Sequence, residues 1–87
     1  MLTDELEILK AQLEIAPNSL KIFKTFKDNE IITQTLIKNK FNFRTSEVSR
    51  QFKKLIKLDL IYITNPNIKK GKQYKLTDQG KQIIKYL

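Results

Sequence analysis

Apolar residues in the first sixteen positions of the chain recur at the spacing of one helical face. Thr3 and Asp4 supply an N-cap and an acidic first turn, and Pro17 ends the pattern. Because the apolar stripe covers barely two heptads, this helix has to pack either on the rest of the chain or on a second copy of itself. The stripe consists of Leu2, Leu6, Leu9, Leu13 and Ala16.

A second amphipathic helix follows Pro17, with Asn18 or Ser19 as its predicted N-cap. Its lysines and its apolar residues fall on opposite faces, as in a helix that packs on a core. The lysines expected to face solvent are Lys21, Lys24 and Lys27. The residues expected to face inward are Leu20, Ile22, Phe23 and Phe26.

A short extended step separates the second helix from a third. The polar residues 28–30 end the second helix, and residues 31–32, both Ile, form the step. Thr33 then has the position of an N-cap for a brief helix of about two turns. Leu36 and Ile37 are predicted to face inward from this helix.

The most regular helical pattern of the chain lies between residues 45 and 59. Its apolar residues fall at i, i+4, i+7 and i+8, with polar residues on the other faces. Asn42 precedes it, and Asn tolerates left-handed backbone better than any residue but Gly, so we expect a tight turn between two helices there. Thr45, or Arg44 with Ser46 assisting, is expected at the helix N-terminus. The predicted buried stripe is Val48, Phe52, Leu55 and Ile56.

Beyond Leu60 the apolar period changes from about 3.6 to about 2 residues. Residues 60–64 and 73–77 are rich in β-branched and aromatic side chains and flank a turn that contains Pro, Asn and Gly, which predicts a β-hairpin. Tyr62 and Tyr74 are expected to pack across the two strands as core residues rather than stack on nucleic-acid bases.

A last short helix is predicted to start at Thr77 and Asp78. Ile83, Ile84 and Leu87 supply its apolar contacts, whereas Gly80 weakens the prediction for its first turn. The phenylalanines are expected to fill the core of so small a domain. They are Phe23, Phe26, Phe41, Phe43 and Phe52.

Composition narrows the class of protein. A chain of 87 residues is the size of one domain. Without Cys or His it lacks disulfides, thiolate and imidazole metal ligands and the usual neutral-pH acid and base, so we expect no enzyme, no cofactor and no metal. No apolar run approaches the roughly 18 residues that span a bilayer, and the first residues do not resemble a signal peptide, so we expect a cytoplasmic, nucleoid-associated protein.

The net charge of +8 is unevenly distributed along the chain. The first sixteen residues carry four acidic residues and one Lys, for a net charge of −3, and the remainder carries +11. A field of that sign attracts polyanions, of which nucleic acid is the commonest in the cytosol. Anionic lipid or an acidic protein surface would feel the same attraction, so charge alone leaves the partner open.

Three blocks of sequence, in a fixed order, carry a resemblance to a known family. LEIAPNSLKIFKTF comes first, VSRQFKKLIKLDLI follows, and NPNIKKGKQYKLTDQGKQII comes last. They resemble the linker and opening helix, the recognition helix, and the wing with the closing helix of winged helix-turn-helix DNA-binding regulators. The similar proteins are archaeal and bacterial regulators of the ArsR-like and MarR-like kinds. The resemblance covers roughly residues 13 to 87.

The resemblance implies an α+β, mainly α fold: a three-helix core with a β-hairpin wing and a C-terminal helix, to which the helical pattern of the first residues adds an extra N-terminal helix. Residues 1–16 would be an amphipathic helix for packing or dimerisation, and residues 17–87 the DNA-binding domain. The sequence departs from the family at two positions, because Asn42 stands where Gly is preferred and Lys72 stands where Arg is frequent. Metal sensing is not implied, since its thiolate and imidazole ligands are missing.

In a helix-turn-helix, the N-terminal half of the second helix enters the major groove. Arg50 and Gln51 are therefore the predicted base readers, since Arg can grip guanine and Gln can grip adenine through two hydrogen bonds each. The serines and the helix N-terminus can donate hydrogen bonds to DNA phosphates, and the lysines add positive charge. The alternative is a solvated polar face on a core helix. The predicted contacts are Arg44, Thr45, Ser46, Glu47, Ser49, Arg50, Gln51, Lys53, Lys54 and Lys57.

The predicted wing carries four lysines and no acidic residue within seven positions. DNA phosphates beside the groove are their natural target. Lysine on an exposed hairpin also blocks edge-to-edge aggregation, so a solubilising role is the alternative. The four are Lys69, Lys70, Lys72 and Lys75.

The sequence therefore predicts a sequence-specific double-stranded DNA-binding transcriptional regulator that represses by occlusion. A unit this small reads few base pairs, so we expect a homodimer. The alternatives are a winged-helix protein-interaction module and a nonspecific architectural DNA-binding protein. The predicted dimer residues are Leu2, Leu6, Leu9, Leu13, Ile84 and Leu87.

Overall fold

The computed structural model describes residues 2–87 and contains five α-helices, one 3₁₀ turn and a two-stranded antiparallel sheet. No helix within residues 2–87 has the length and apolar character needed to cross a membrane. The elements, in chain order, are α1 (Asp4–Glu14), α2 (Pro17–Lys24), the 3₁₀ turn (Thr25–Lys27), α3 (Gln34–Phe41), α4 (Thr45–Lys57), β1 (Ile61–Ile63), β2 (Tyr74–Leu76) and α5 (Asp78–Ile84).

Three of the helices begin at a threonine N-cap, as the sequence predicts. Each threonine hydroxyl accepts a hydrogen bond from the backbone N–H three residues later, which satisfies one of the donors left open by the first helical turn. The distances are 3.3 Å for Thr3 in α1, 3.2 Å for Thr33 in α3 and 3.0 Å for Thr77 in α5.

The start of α2 differs from the prediction. Ala16 is its N-cap and makes no side-chain hydrogen bond, while Pro17 occupies the first turn, where the missing N–H of proline costs nothing. The prediction that Asn18 or Ser19 caps this helix is wrong. Both residues lie inside the helix, and their side chains bind α4 instead.

The turn between α3 and α4 is built on left-handed backbone. Asn42 ends α3 with φ 56° and ψ 39°, the conformation expected at that position. Asp59, just after α4, has φ 59°, which the sequence analysis did not predict. The two residues set the directions in which the chain enters and leaves α4.

The core lies between the helices and the inner face of the sheet. Phe23, Phe26 and Phe52 are buried as predicted, whereas Phe41 and Phe43 are partly buried and stack on each other with ring centroids 5.5 Å apart. The other buried apolar residues are Leu2, Leu6, Leu13, Ile22, Ile32, Ile37, Val48, Leu55, Leu60, Ile61, Tyr74, Ile83 and Ile84.

Two residues predicted to face inward are exposed instead. Leu36 is 37% exposed, because α3 spans only two turns and packs on the core through Ile37. Ile56 is 36% exposed and lies at the edge of the buried stripe of α4, beside the hairpin. A helical period predicts the centre of a buried face better than its edges, because the width of the face depends on the neighbouring element.

The hairpin pairs Ile61 with Leu76, Tyr62 with Lys75 and Ile63 with Tyr74. This register separates the two tyrosines. Tyr74 is buried and meets the ring of Phe52 edge-on at 4.6 Å, whereas Tyr62 is 45% exposed, so the prediction that Tyr62 is a core residue is wrong. Residues on successive strand positions point to opposite faces, and Tyr62 lies on the outer one.

The hairpin is fixed to the body at both ends. The backbone of Ile32 exchanges two hydrogen bonds with that of Tyr74, at 2.8 and 3.0 Å, so the extended step before α3 acts as a third strand position. At the other end, a Cβ at Gly80 would lie 2.2 Å from the carbonyl oxygen of Leu60. Gly80 thus allows α5 to approach the start of β1 closely.

Candidate nucleic-acid interface

One face of α4 points away from the core and carries the basic side chains. Ser46, Arg50, Lys53 and Lys57 fall at i, i+4, i+7 and i+11, and all four are exposed. Lys54 lies beside this row and is exposed as well, as are Arg44 and Thr45 at the helix N-terminus. We call Ser46, Arg50, Lys53, Lys54 and Lys57 the outward face.

The wing consists of β1, β2 and residues 64–73 between them, and the side chain of Asn65 bridges its loop. The Asn65 Oδ1 atom accepts a hydrogen bond from the backbone N–H of Gln73 at 2.7 Å, and its amide nitrogen donates to the Gly71 carbonyl at 3.4 Å. Gly71 has φ 75°, a conformation that favours glycine. These contacts close the loop and leave Lys69 and Lys70 exposed at its tip.

A groove of about 500 Å³ separates the wing from α4. Lys53 of the outward face lines one side of it, and the lysines of the loop line the other. The groove floor contains Phe52, Ile63 and Tyr74. We call this cleft the lysine groove, and its four basic residues are Lys53, Lys69, Lys70 and Lys72.

A chain of hydrogen bonds crosses the inner wall of the lysine groove. The Ser49 hydroxyl donates to Gln34 Oε1 at 3.1 Å, and the Gln34 amide donates to the Tyr74 hydroxyl at 3.0 Å. This chain joins α4 to α3 and to the wing. Ser49 was predicted to meet phosphate, but its proton is already used within the protein.

Lys75 does not belong to the lysine groove, contrary to the prediction that groups it with the wing tip. It pairs with the carboxylate of Glu30 at 3.3 Å and lies near Tyr62 on the outer face of the hairpin. The strand alternation that buries Tyr74 against α4 turns Lys75 the other way.

The edge of α4 opposite the wing contains a polar cluster that the sequence analysis misassigned. Glu47 Oε1 accepts hydrogen bonds from the amides of Asn18 and Gln51, each at 3.0 Å, while Glu47 Oε2 pairs with Arg50. Gln51 Oε1 accepts from the hydroxyl of Ser19, which is 1% exposed. We call these five residues the Glu47 network.

The Glu47 network has two chemical consequences. The hydrogen bonds from Gln51 and Asn18, and then the charge of Arg50, hold the pKa of the Glu47 carboxyl below its ordinary value of 4.5. The amide of Gln51 uses its oxygen and its nitrogen inside the protein, so the prediction that Gln51 reads a base is not supported by its position. Arg50 remains exposed over 74% of its side chain.

The residues predicted to form a dimer face are occupied within the single chain. Leu2, Leu6, Leu13 and Ile84 belong to the core, and Leu9 and Leu87 pack partly buried against it. Helix α1 packs on α2 and α5, which answers the question left open for its apolar stripe. In the single chain these six residues leave little apolar surface free, so their burial does not support the predicted dimer surface; that surface and homodimerisation itself stay predictions.

Other exposed side chains lie outside the lysine groove and have no role predicted from the sequence. Ile8 and Ile15, seven residues apart on the outer side of α1, are 61% and 83% exposed, and Tyr86 is 49% exposed. Lys21, Lys24 and Lys40 surround a concavity between α2 and the end of α3. The sequence does not show that these three lysines meet, because their proximity depends on how α2 and α3 pack.

No family model matches the chain, and no curated protein matches it. Solved structures do. TubR bound to 24 bp of tubC, from Bacillus thuringiensis serovar israelensis pBtoxis, is similar with a TM-score of 0.79 at 14% identity, covering 99% of this chain and 95% of that one.

A mutant MarR from E. coli complexed with operator DNA is similar with a TM-score of 0.72 at 23% identity, covering 93% of this chain and 59% of that one. A second structure of this MarR mutant also has a TM-score of 0.72, at 21% identity, covering 92% of this chain and 62% of the MarR chain. At these identities the likeness establishes the fold. The chain has a winged helix fold, which confirms the α+β, mainly α class, and it spans about three-fifths of the MarR chain.

Proposed function

We propose that this protein binds double-stranded DNA sequence-specifically and regulates transcription. One observation supports this function above all: the exposed basic row of α4 continues across the lysine groove into the wing. A major groove about 12 Å wide accepts a helix, and the phosphates at its edge would then lie beside the wing. A concave surface with lysines on both sides matches a duplex better than it matches a flat partner.

Each part of the surface has a distinct chemical role in this proposal. Arg50 offers guanine a bidentate contact in the major groove. The N-terminus of α4 carries no side-chain cap, so its backbone N–H groups, together with Ser46, can bind phosphate. Lys69, Lys70 and Lys72 neutralise phosphates from the wing.

The similar structures support the choice of partner. TubR was solved with 24 bp of tubC and MarR with operator DNA, and both share this fold. The net charge of +8 adds long-range attraction to a polyanion. Such a protein would work in the cytoplasm on the nucleoid.

We further propose that the protein acts as a homodimer that represses by occlusion. One unit reads only a few base pairs, and a twin bound one helical turn away multiplies its affinity. The partly buried Leu9 and Leu87, together with the exposed Ile8, Ile15 and Tyr86, are apolar residues of α1 and the C-terminal end that a second copy could cover. Dimerisation would leave the outward face of each copy open.

Selection of bound duplexes from a random pool, run at two salt concentrations, tests the proposed function. We expect enrichment of a two-fold symmetric site and a steep dependence of affinity on salt. Steep salt dependence without a preferred site would favour the architectural alternative. Weak binding without either feature would favour the protein-interaction module.

Arg50→Ala then tests the reading of a base. It should reduce discrimination at one position of the selected site by about 1–3 kcal/mol, while binding to unrelated duplex falls only slightly. Lys85→Ala is the matched control, because it removes one exposed charge beyond α5. Equal discrimination by the Arg50→Ala variant and the wild type would contradict the assignment of Arg50.

A further inference from the structure

Glu47 connects a helix outside the helix-turn-helix surface to the predicted base reader. The Asn18 amide, on α2, and the Gln51 amide both donate to Glu47 Oε1 at 3.0 Å. The other carboxylate oxygen, Oε2, pairs with Nη2 of Arg50. The side chain of Glu47 is 20% exposed, whereas that of Arg50 is 74% exposed. Two hydrogen bonds thus fix the carboxylate of Glu47, and this carboxylate holds the exposed guanidinium of Arg50.

This arrangement favours an indirect role for Glu47 over the direct reading of a base. A carboxylate can accept a hydrogen bond from the amino group of cytosine, but that needs an oxygen directed into the groove. Both oxygens of Glu47 already have partners within the protein. Its influence on base preference would then pass through Arg50, apart from the general repulsion between its charge and phosphate.

From these contacts we infer that Asn18 and Gln51, acting through Glu47, orient the guanidinium of Arg50 and thereby set the base preference of the site. They are positioning residues, since Arg50 makes the contact with the base. The inference rests on the proposed function and names which residues determine its specificity.

The geometry of arginine allows both contacts at once. A guanidinium has five N–H donors in a fixed planar fork, and Glu47 occupies part of one end. The donors that remain suffice for the two acceptors of guanine. An exposed pair between neighbouring helical turns is ordinarily too weak to order an arginine. Here the acceptor is held by α2 and cannot follow the arginine as it moves, so the pair restricts the directions that Arg50 can take.

Glu47→Gln separates orientation from folding. The Gln side chain keeps an oxygen that can accept from Asn18 and Gln51, but it offers Arg50 an amide NH₂ in place of Oε2. We expect discrimination at the Arg50 position to fall by roughly tenfold, within the range that a bidentate contact supplies. Affinity for unrelated duplex should rise, because a carboxylate leaves the DNA-facing surface. A merely structural role would not lower the discrimination at the Arg50 position and raise the affinity for unrelated duplex at the same time.

Glu5→Gln is the matched control for charge. It removes the same negative charge from the exposed side of α1. We expect it to leave the base preference unchanged, with at most a small general gain in affinity.

Asn18→Ala tests the same set of contacts through a residue of α2. It removes one of the two hydrogen bonds to Oε1 without touching α4 or its charge. We expect a smaller loss of discrimination at the Arg50 position, roughly threefold, with a two-state thermal transition preserved. This variant keeps the inference testable if Glu47→Gln folds poorly.

Competition binding between the selected site and a duplex changed at the guanine position measures the discrimination at that position and the affinity for the altered duplex. A specific loss in Glu47→Gln and in Asn18→Ala supports the inference. Wild-type discrimination in both variants, with Arg50→Ala still relaxed, overturns it and leaves the proposed function intact. If wild-type protein selects no sequence at all, the proposed function fails and the inference fails with it.

Discussion

The two edges of α4 differ in what their polar side chains do. On the edge facing α2, Asn18, Glu47 and Gln51 bind one another through hydrogen bonds of 3.0 Å. On the edge facing the wing, Lys53 and the lysines of the loop surround an open groove of about 500 Å³. One edge has satisfied its polar atoms within the protein, and the other presents charge to a partner.

This contrast shows that polarity on a helix surface has two distinct uses. Gln51 and Lys53 lie two residues apart and both look like solvent-facing positions in the sequence. The neighbouring element decides between them, because α2 places polar side chains against one edge and the wing stands away from the other. Stability should therefore depend on the first edge, and DNA affinity on the second.

The largest expected effect is on the wing edge. Replacing Lys69, Lys70 and Lys72 together by Gln should lower the slope of log K against log salt by roughly 2 to 3, since each phosphate contact contributes about 0.9. Affinity at low salt should fall by roughly 100-fold. Fluorescence anisotropy with the selected duplex at several salt concentrations measures both, and urea denaturation should show an unchanged stability.

Lys75→Gln is the control for the wing lysines. Lys75 lies on the other side of the hairpin and pairs with Glu30. Its loss should therefore change the slope of log K against log salt by much less than the roughly 0.9 that one phosphate contact contributes. A slope reduced equally by Lys75→Gln and by any single wing-tip substitution would remove the distinction between the two faces of the wing.

An intermediate effect is expected on the edge facing α2. Gln51→Ala leaves the buried hydroxyl of Ser19 without its acceptor, which should cost about 1–3 kcal/mol of the free energy of unfolding. Adding Ser19→Ala should restore part of this loss, because both partners are then absent. Urea denaturation of the single and double variants measures the coupling.

Lys54→Ala serves as the comparison for that edge, since it truncates an exposed residue of the same helix. Its effect on stability should stay within about 0.5 kcal/mol. Equal losses in Gln51→Ala and Lys54→Ala would mean that the Glu47 network does not stabilise the fold.

The smallest expected effect is a dependence on pH. Because hydrogen bonds hold the pKa of Glu47 below 4.5, the folded state favours the ionised carboxylate, and this stabilisation is present above pH 4.5. It is lost as the pH falls through the lowered pKa. The stability difference between the wild type and Glu47→Gln should therefore narrow as the pH is lowered from neutral to well below 4.5. A difference that stays constant over that range would contradict the cause assigned to the shift.

Local signals in the sequence predict most of the fold. The threonine caps of three helices, the left-handed Asn42 and the change of period at the hairpin each depend on residues close together in the chain. Leu36, Ile56 and Tyr62 were misassigned because their burial depends on how wide a contact the neighbouring element makes. Gly80 weakens the prediction of α5 from helix propensity, although close packing against Leu60 requires a residue without a side chain.

The candidate site was harder to predict than the fold. The exposed positions of Arg50, Lys53 and Lys57 follow from the helical period alone. The partners of Glu47 and Gln51 do not, since Asn18 lies 29 residues away from Glu47 along the chain. Hydrogen bonds between helices leave no periodic mark in a single sequence.

The most direct test of the account is an NMR titration of the ¹⁵N-labelled protein with its selected duplex. The outward face of α4 and the wing are expected to contact the DNA, so the largest amide shifts should fall in residues 44–57 and 68–73. The exposed side of α1, around Ile8 and Ile15, should change little. Shifts concentrated on α1, or spread evenly over the surface at saturation, would contradict the claim that α4 and the wing form the DNA-binding surface.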